Sequence, residues 1–483
     1  MAKAKSKTRK APAKSATKSI SKSKSRSAPP KSERARSARA KSTPSKSAPD
    51  ANLLADLMKW AKAAGADAAD ALFDVNESIS VAQRMGKREK LESSESSGLR
   101  LRAFVGQRQA FVSTTDFSPQ ALRDLAERVV GMARAVPEDP TCGIAPRELL
   151  ATKWPDLDLD DRRRPSARSL VELAATAEDA ARAVKGVTNS EGAEAGWGRT
   201  RMLLVTSNGF SGNFRRGGYS LSCAVLAGEG TGMERDYEWT SAVHFEDLMP
   251  ATRVGRNAGK FAVERLNPRK ATSARLPVVY DRRVSGSMLG HLAGAINGRA
   301  VARGTSFLKD RMGQQIFAKG IRIVDNPLHK RGLGSRPFDG DGLPTRRYNV
   351  IDDGVLTTWL LDLASARQLN LKPTGHGPGG GTSNFYLEKG KLSPDELIAD
   401  IKSGLYITDM IGFGVNAVTG DYSRGASGFW IENGKKTYPV SGITVAGNLK
   451  DMFLNMTPAS DLQFKSATNA PTVRIEGMTI ASS

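Results

Sequence analysis

Residues Thr419–Phe453 read TGDYSRGASGFWIENGKKTYPVSGITVAGNLKDMF. Trp430 and Ile431 lead into Glu432-Asn433-Gly434-Lys435, and Thr437 to Val440 lead away from it. An Asn-Gly pair between such runs predicts a two-residue hairpin turn, because both central residues need positive φ and these two types tolerate it best. Glycines on either side cut the rest of the stretch into short strands. Past a helix expected over 285–303 the same punctuation continues, which predicts a largely β C-terminal part.

Working outward, the strand-like Pro277 to Tyr280 opens this part. Ser393-Pro394-Asp395-Glu396 is a capping box ahead of Leu397, Ile398 and Ile401, with Gly404 as the expected C-terminal cap. The stretch NPRKATSARL at 267–276 interrupts the apolar periodicity and marks a domain boundary. Upstream, a helix is expected from Asp50, with Leu53, Leu57 and Trp60 on one face. Alternation from Leu99 to Val105 predicts a strand, and Gly106-Gln107 turns it into a partner ending near Val112. Ser118-Pro119 opens a helix with an apolar stripe of Leu122, Leu125, Val129 and Met132. A long surface connection over 136–165, a helix over 166–184, short strands over 200–245 around Ser207-Asn208-Gly209, and a helix over 250–265 follow. The expected fold class is α+β: an N-terminal α/β-type domain of antiparallel strands and helices over 50–270, and a C-terminal largely β domain with a few helices over 271–483.

The chain has 483 residues and a formal net charge of +22. Much of the excess sits in residues 1–49, where sixteen lysines and arginines face one acid, Glu33. Such a segment buries too little apolar surface to offset its ordering entropy, so it is read as a disordered basic tail. It contains no apolar signal-peptide core, and no run of 18 apolar residues occurs in the chain, so neither export nor membrane insertion is expected. Cys142 and Cys223 are too few for a disulfide framework and are read as reduced cytosolic thiols. The tail can contact nucleic acid through phosphates, sequence-blind and salt-sensitive, without any aromatic residue to stack on bases.

Most motifs for chemistry are absent. The four histidines, His244, His291, His329 and His376, lie no closer than 38 residues apart, whereas a helical zinc pair needs a spacing of about three to five. No serine sits in a G-x-S-x-G elbow, and no Gly-Lys is followed by Ser or Thr. Gly375-His376-Gly377-Pro378-Gly379-Gly380 matches G-x-G-x-x-G formally, but Pro378 and the extended-looking residues after it favour a mobile glycine loop, whose functional variant is a loop bordering a substrate cleft. The run Ser335–Gly342, with Arg346 and Arg347, reads as solvated turns whose arginines pair with the nearby aspartates.

Several longer blocks occur in order: Ser207-Asn208-Gly209-Phe210, Asn297-Gly298-Arg299-Ala300-Val301-Ala302-Arg303-Gly304-Thr305-Ser306-Phe307-Leu308, Arg331–Asp339, Asp352–Leu356, Ser365–Leu369 and the stretch from Thr419. Together they resemble the TldD/PmbA family, also called modulators of DNA gyrase, and within it the PmbA/TldE-type subunits. The resemblance covers about residues 50–483. It implies a subunit of a cytoplasmic TldD–TldE metalloprotease that degrades or processes unfolded peptides, with zinc and the catalytic glutamate supplied by a TldD-like partner. In the zinc-bearing branch the metal sits on an H-E-x-x-x-H helix. Here His291 is followed by Leu292, Ala295 and Ile296 stand near the second histidine's place, and no cysteine follows Cys223. The resemblance therefore implies no catalytic residue and no cofactor in this chain, only a degenerate site near His291. A substrate peptide is expected to add as a strand to a sheet edge at Thr382, Ser383, Asn384, Phe385, Tyr386 and Leu387. A homodimer is open to the chain when the partner is absent. The alternatives are a nucleic-acid-associated protein acting through its tail, and a solitary hydrolase with a metal site assembled from distant residues.

Overall fold

A computed structural model describes residues 50–482, and the basic tail expected to be disordered lies outside them. The N-terminal half carries the helices α1 (Ala51–Ala63), α2 (Pro119–Ala135), α3 (Ala167–Arg182) and α4 (Ala251–Glu264). Its strands are β1 (Ala68–Arg84), β2 (Lys87–Val105), β3 (Arg108–Thr114), β4 (Val187–Thr206), β5 (Ser211–Ala227) and β6 (Glu234–Ala242). They form one antiparallel sheet in the order β3-β2-β1-β4-β5-β6. Strand periodicity of two puts Ala69, Ala71, Phe73, Ile79 and Val81 of β1 on one face. There α1 and α2 cover one end of the sheet, and α3 and α4 the other.

The helix starts follow their caps. Asp50 accepts the Leu53 N–H at 2.9 Å, and Ser166 accepts that of Ser169 at 3.1 Å. The apolar stripes are rotated slightly from those expected: Leu54 and Met58 are buried with Leu57 in α1, and in α2 Met132 faces solvent while Val130 and Ala133 turn inward. The strands over 200–245 are not short. Two of them, β4 and β5, run 20 and 17 residues, because a register shift at Ser190/Gly192 and flat pairing through Gly196 and Gly198 absorb the glycines without ending the ladder. Nor is 136–165 a plain surface connection. Ala145, Ala151, Leu157 and Leu159 are buried, and the Gly217 N–H donates to the Leu159 carbonyl at 2.7 Å.

The turn between β1 and β2 was not expected. Met85 and Gly86 both take positive φ, and the buried Glu178 of α3 holds them. Its Oε1 accepts the Met85 N–H at 2.6 Å, and its Oε2 accepts the Gly86 N–H at 3.0 Å and Gln83 Nε2 at 3.2 Å. β3 pairs with β2 only over Leu99–Val105, so the outer edge of Lys87–Gly98 carries no neighbouring strand among the described residues.

In the C-terminal half the helices are α5 (Arg282–Ala295), α6 (Gly298–Ala302), α7 (Leu363–Gln368), α8 (Pro394–Ile398) and α9 (Leu449–Leu454). Five short strands, β8 (Ile323–Asp325), β9 (Tyr348–Asp352), β10 (Val355–Leu356), β11 (Phe385–Leu387) and β16 (Thr468–Asn469), form a sheet in the order β10-β9-β8-β11-β16. A second sheet holds β7 (Ala274–Tyr280), β12 (Ser403–Ile411), β13 (Asp421–Glu432), β14 (Lys435–Asn448), β15 (Met456–Pro458) and β17 (Val473–Ser482), in the order β14-β13-β12-β7-β17-β15. Because β14 also pairs with β17, this ladder runs back on itself around the largest core cluster. The fold is thus α+β, as expected.

The hairpin of the opening stretch forms as read, with Asn433 at φ 49° and Gly434 at φ 77°. The single helix expected over 285–303 is two. Asn297 breaks it by capping α6 with its side-chain oxygen, while its Nδ2 donates to the Gly379 carbonyl at 2.7 Å. The capping box of Ser393 and Glu396 is present, but α8 ends at Ile398, and Gly404 lies in β12. Among the described residues no helix is long and apolar enough to cross a membrane.

Candidate functional site

Three groups of residues singled out from sequence converge in the C-terminal half, and two of them prove structural. The run 335–342 is not solvated: Ser335, Asp339 and Asp341 are all buried. Arg346 and Arg347 do not pair with these aspartates. Arg346 donates to the Tyr348 hydroxyl at 2.7 Å, and Arg347 reaches Glu388 at 3.4 Å. The partner of Asp341 is Arg102 of β2, at 2.8 Å, which also holds Asp70 at 2.7 Å. This joins the uncovered face of the N-terminal sheet to the C-terminal half, beside a cluster of Trp154, Phe210, Phe214 and Phe338. No local pattern marks a pair separated by 239 residues.

The glycine loop at 375–381 is tied down rather than free. Asp339 Oδ2 accepts the Gly377 N–H at 2.9 Å, and Asp362 Oδ2 accepts that of Gly379 at 2.9 Å. Buried His376 contacts Thr374 through Nδ1 at 2.7 Å and Asp325 through Nε2 at 3.1 Å, and Ser383 donates to the same carboxylate at 2.8 Å. The segment Thr382–Leu387 is not a sheet edge. β11 is flanked by β8 on one side and β16 on the other, Ser383, Asn384, Phe385 and Leu387 are buried, and Thr382 and Tyr386 are half-buried. The two-residue β16, supplied from far along the chain, occupies the edge that sequence left open. A substrate strand cannot add there without displacing it.

Asp339 has a testable electrostatic signature. Its Oδ1 accepts the Asp341 and Leu343 N–H groups at 3.0 and 2.8 Å. Burial, and the Asp341 carboxylate beside it, still push its pKa from 3.8 up to about 6. The folded state therefore binds more protons between these two values, and Asp339 disfavours folding more at pH 7 than at pH 5. The Asp339→Asn variant lacks this titration. On going from pH 7 to pH 5, the stability difference should move in favour of the wild type by about 1 kcal/mol, read from urea melts at both values. A difference that stays flat would show that Asp339 is already hydrated and ionised.

The third group surrounds α5. His291 sets its ring edge-on to Tyr422 at 5.8 Å between centroids, and its Nε2 is buried without a hydrogen-bond partner. Burial first, and the positive charge of Arg424 second, lower its proton affinity. Leu292 and Ile296 point into the core and Ala295 is buried with them. These residues do not fit a zinc ion of the H-E-x-x-x-H kind. No carboxylate or second imidazole follows His291 along the helix, and a guanidinium charge near its ring opposes a cation. Among the described residues no group of three His, Cys, Asp or Glu side chains is placed to hold a metal ion.

Next to this helix is a cleft of about 330 Å³ between β6, the first turns of α5, the ends of β12 and β13, and the segment 463–470. Tyr237, Trp239, Val284 and Met410 give it apolar walls, and Arg424 and Lys465 contribute charge. Sequence reading missed this cleft. Its only local sign is that Arg424 shares a strand face with Tyr422 inside the opening stretch.

Comparison with known proteins places these features. Models described as PmbA/TldA metallopeptidase match as three successive domains: domain 1 over residues 69–133, the central domain over 160–266 and the C-terminal domain over 273–482. The metalloprotease PmbA of Escherichia coli O157:H7 is 39% identical over 417 residues, covering 86% of this chain and 92% of that protein. A crystal structure titled a putative modulator of DNA gyrase, from Bacteroides thetaiotaomicron, superposes with a TM-score of 0.84 at 28% identity, covering 89% of this chain and 98% of the other. TldE from Thermococcus kodakarensis shares the fold, with a TM-score of 0.80 at 17% identity, covering 89% of this chain and 100% of that one.

Proposed function

This chain belongs to the PmbA/TldD metallopeptidase family, and from that membership we propose that it is the PmbA/TldE-type subunit of a cytoplasmic heterodimeric protease, working beside a TldD-like subunit that carries the zinc. The observation that carries this reading is the helix at His291. An imidazole remains, but the glutamate that would activate water is replaced by a core leucine, and Arg424 lends positive charge where a divalent ion would need negative or neutral ligands.

In this reading the partner polarises the peptide carbonyl and supplies the general base. The present chain walls the chamber and holds unfolded peptide. Its cleft suits that task, since the apolar wall of Tyr237, Trp239, Val284 and Met410 accepts a side chain while the charged and polar residues around it hold main chain.

The test is reconstitution. The purified chain should neither retain stoichiometric zinc nor cleave an unfolded peptide. Mixed with a TldD-like subunit from the same source it should co-purify with it, and cleavage should appear with zinc at one equivalent per pair. Zinc retained by this chain alone, with cleavage by it alone, would overturn the proposal.

A further inference from the structure

The cleft beside α5 contains charges of both signs, and nearly all are matched. Arg283 Nη1 lies 2.8 Å from Asp236, and Lys465 Nζ lies 3.1 Å from Glu238. Arg282 faces Asp461 at 3.8 Å, and Asp409 faces Arg265 at 3.7 Å. Arg424 differs. Its guanidinium bonds to the Tyr422 hydroxyl and stands near the His291 ring, neither of which can neutralise it, and no carboxylate pairs with it among the described residues. A half-buried guanidinium without a counter-ion, lining a cavity, is a site poised for an anion.

The surroundings narrow the kind of anion. A nucleic-acid backbone would need a track of free cations, but the other basic groups here are already held by carboxylates. The walls beside Arg424 are Tyr237, Trp239, Val284 and Met410, which suit an apolar side chain. Gly286, without a side chain, and the Thr468 carbonyl beside it form part of the cavity wall. The volume of about 330 Å³ accommodates one or two residues rather than a long segment.

We propose that this cleft binds the C-terminal residue of a peptide, with its carboxylate on Arg424 and its apolar side chain against Tyr237, Trp239 and Met410. This rests on the reading of the chain as a peptide-holding subunit and adds where, and by which end, a peptide is held. Arg424 is a binding residue here and takes no part in bond cleavage.

The test uses the full chain and an acetylated tetrapeptide ending in leucine, in free-acid and amide forms, titrated by calorimetry or ligand-observed NMR. The acid should bind at least about tenfold more tightly than the amide, as expected for a charge-assisted pair. The preference should vanish in Arg424→Gln and persist in part in Arg424→Lys. Equal binding of the two forms by the wild type would overturn the proposal, whatever the variants do. So would equally tight binding of an amidated peptide carrying an internal aspartate, because the carboxylate would then arrive on a side chain. If the acid preference is present but the reconstituted pair fails to cleave peptide, the terminal-carboxylate site stands and the protease reading falls. If the pair cleaves but the preference is absent, the reverse holds.

Discussion

Replacing Arg102 with methionine should destabilise the fold by about 3–5 kcal/mol, the usual result of removing one partner from a buried ionic group. Arg102 Nη2 lies 2.7 Å from Asp70 and 2.8 Å from Asp341, and both aspartates are buried. Methionine fills much of the arginine's volume, so the loss isolates the charge. Two carboxylates would then share a site without a counter-ion. Burial already raises the pKa of Asp70, and the Asp341 carboxylate adds to that rise. In the variant one of the pair should take up a proton, so the deficit should shrink as pH falls towards 5. Arg102→Lys keeps the charge but cannot reach both carboxylates with a fork of donors, and should fall between the two. Urea melts at pH 7 and pH 5 measure both effects. A deficit below about 1 kcal/mol at pH 7 would mean that the aspartates are solvated and the contact contributes little.

The second large effect is expected at Glu178. Glu178→Leu should cost about 1–3 kcal/mol, because it leaves the buried Gln83 amide and the N–H groups of the Met85–Gly86 turn without their acceptor. Burial tends to raise the pKa of Glu178, but bonds from Ser190, Gly86, Gln83 and Met85 outweigh it and hold the value below the ordinary one. Its contribution is therefore present above the unfolded-state value and lost as pH falls through the folded one. Glu178→Gln keeps one acceptor oxygen and should lose less. The damage should be local, so hydrogen exchange at residues 82–90 would accelerate before the rest of the sheet. Uniform exchange across the sheet would instead place the defect in the α3 core.

What could be read from sequence divides along the range of the interactions involved. The caps at Asp50 and Ser393 and the turn at Asn433-Gly434 are decided within three or four residues and formed, whereas Ser118 stands at the start of α2 without a side-chain cap bond. Strand lengths were misjudged because a glycine in a long antiparallel ladder looks the same in sequence as a glycine that ends a strand. The distinction lies in the neighbour, such as the Ser220 side chain packed close against Gly196. Buried charge was missed for the same reason: Asp339 and Asp341 sit in Asp-Gly pairs typical of surface turns, and only a distant strand brings Arg102 to them. The proposed edge at Thr382–Leu387 failed because its second neighbour, Thr468–Asn469, is too short to register as a strand. His291 was singled out through the resemblance of its helix to the metal-bearing one. The unpaired Arg424 beside it was not, since being unpaired is a property of surroundings and not of spacing.

The open side of β2 bears on how the protein behaves at high concentration. A strand of unpaired backbone groups this long is a template on which a second molecule could build. Lys87-Arg88-Glu89-Lys90-Leu91-Glu92 followed by a serine-rich run holds a single large apolar residue, Leu91. Any chain laid along it must strip water from charges of both signs and gains almost no apolar contact in return. Among the described residues no element covers this edge, and its side-chain chemistry is what disfavours pairing there. Replacing those charges with valine or threonine would keep the strand pairing with β1, lose only the exposed Lys90–Glu92 ion pair, and turn the edge into a seed for fibres.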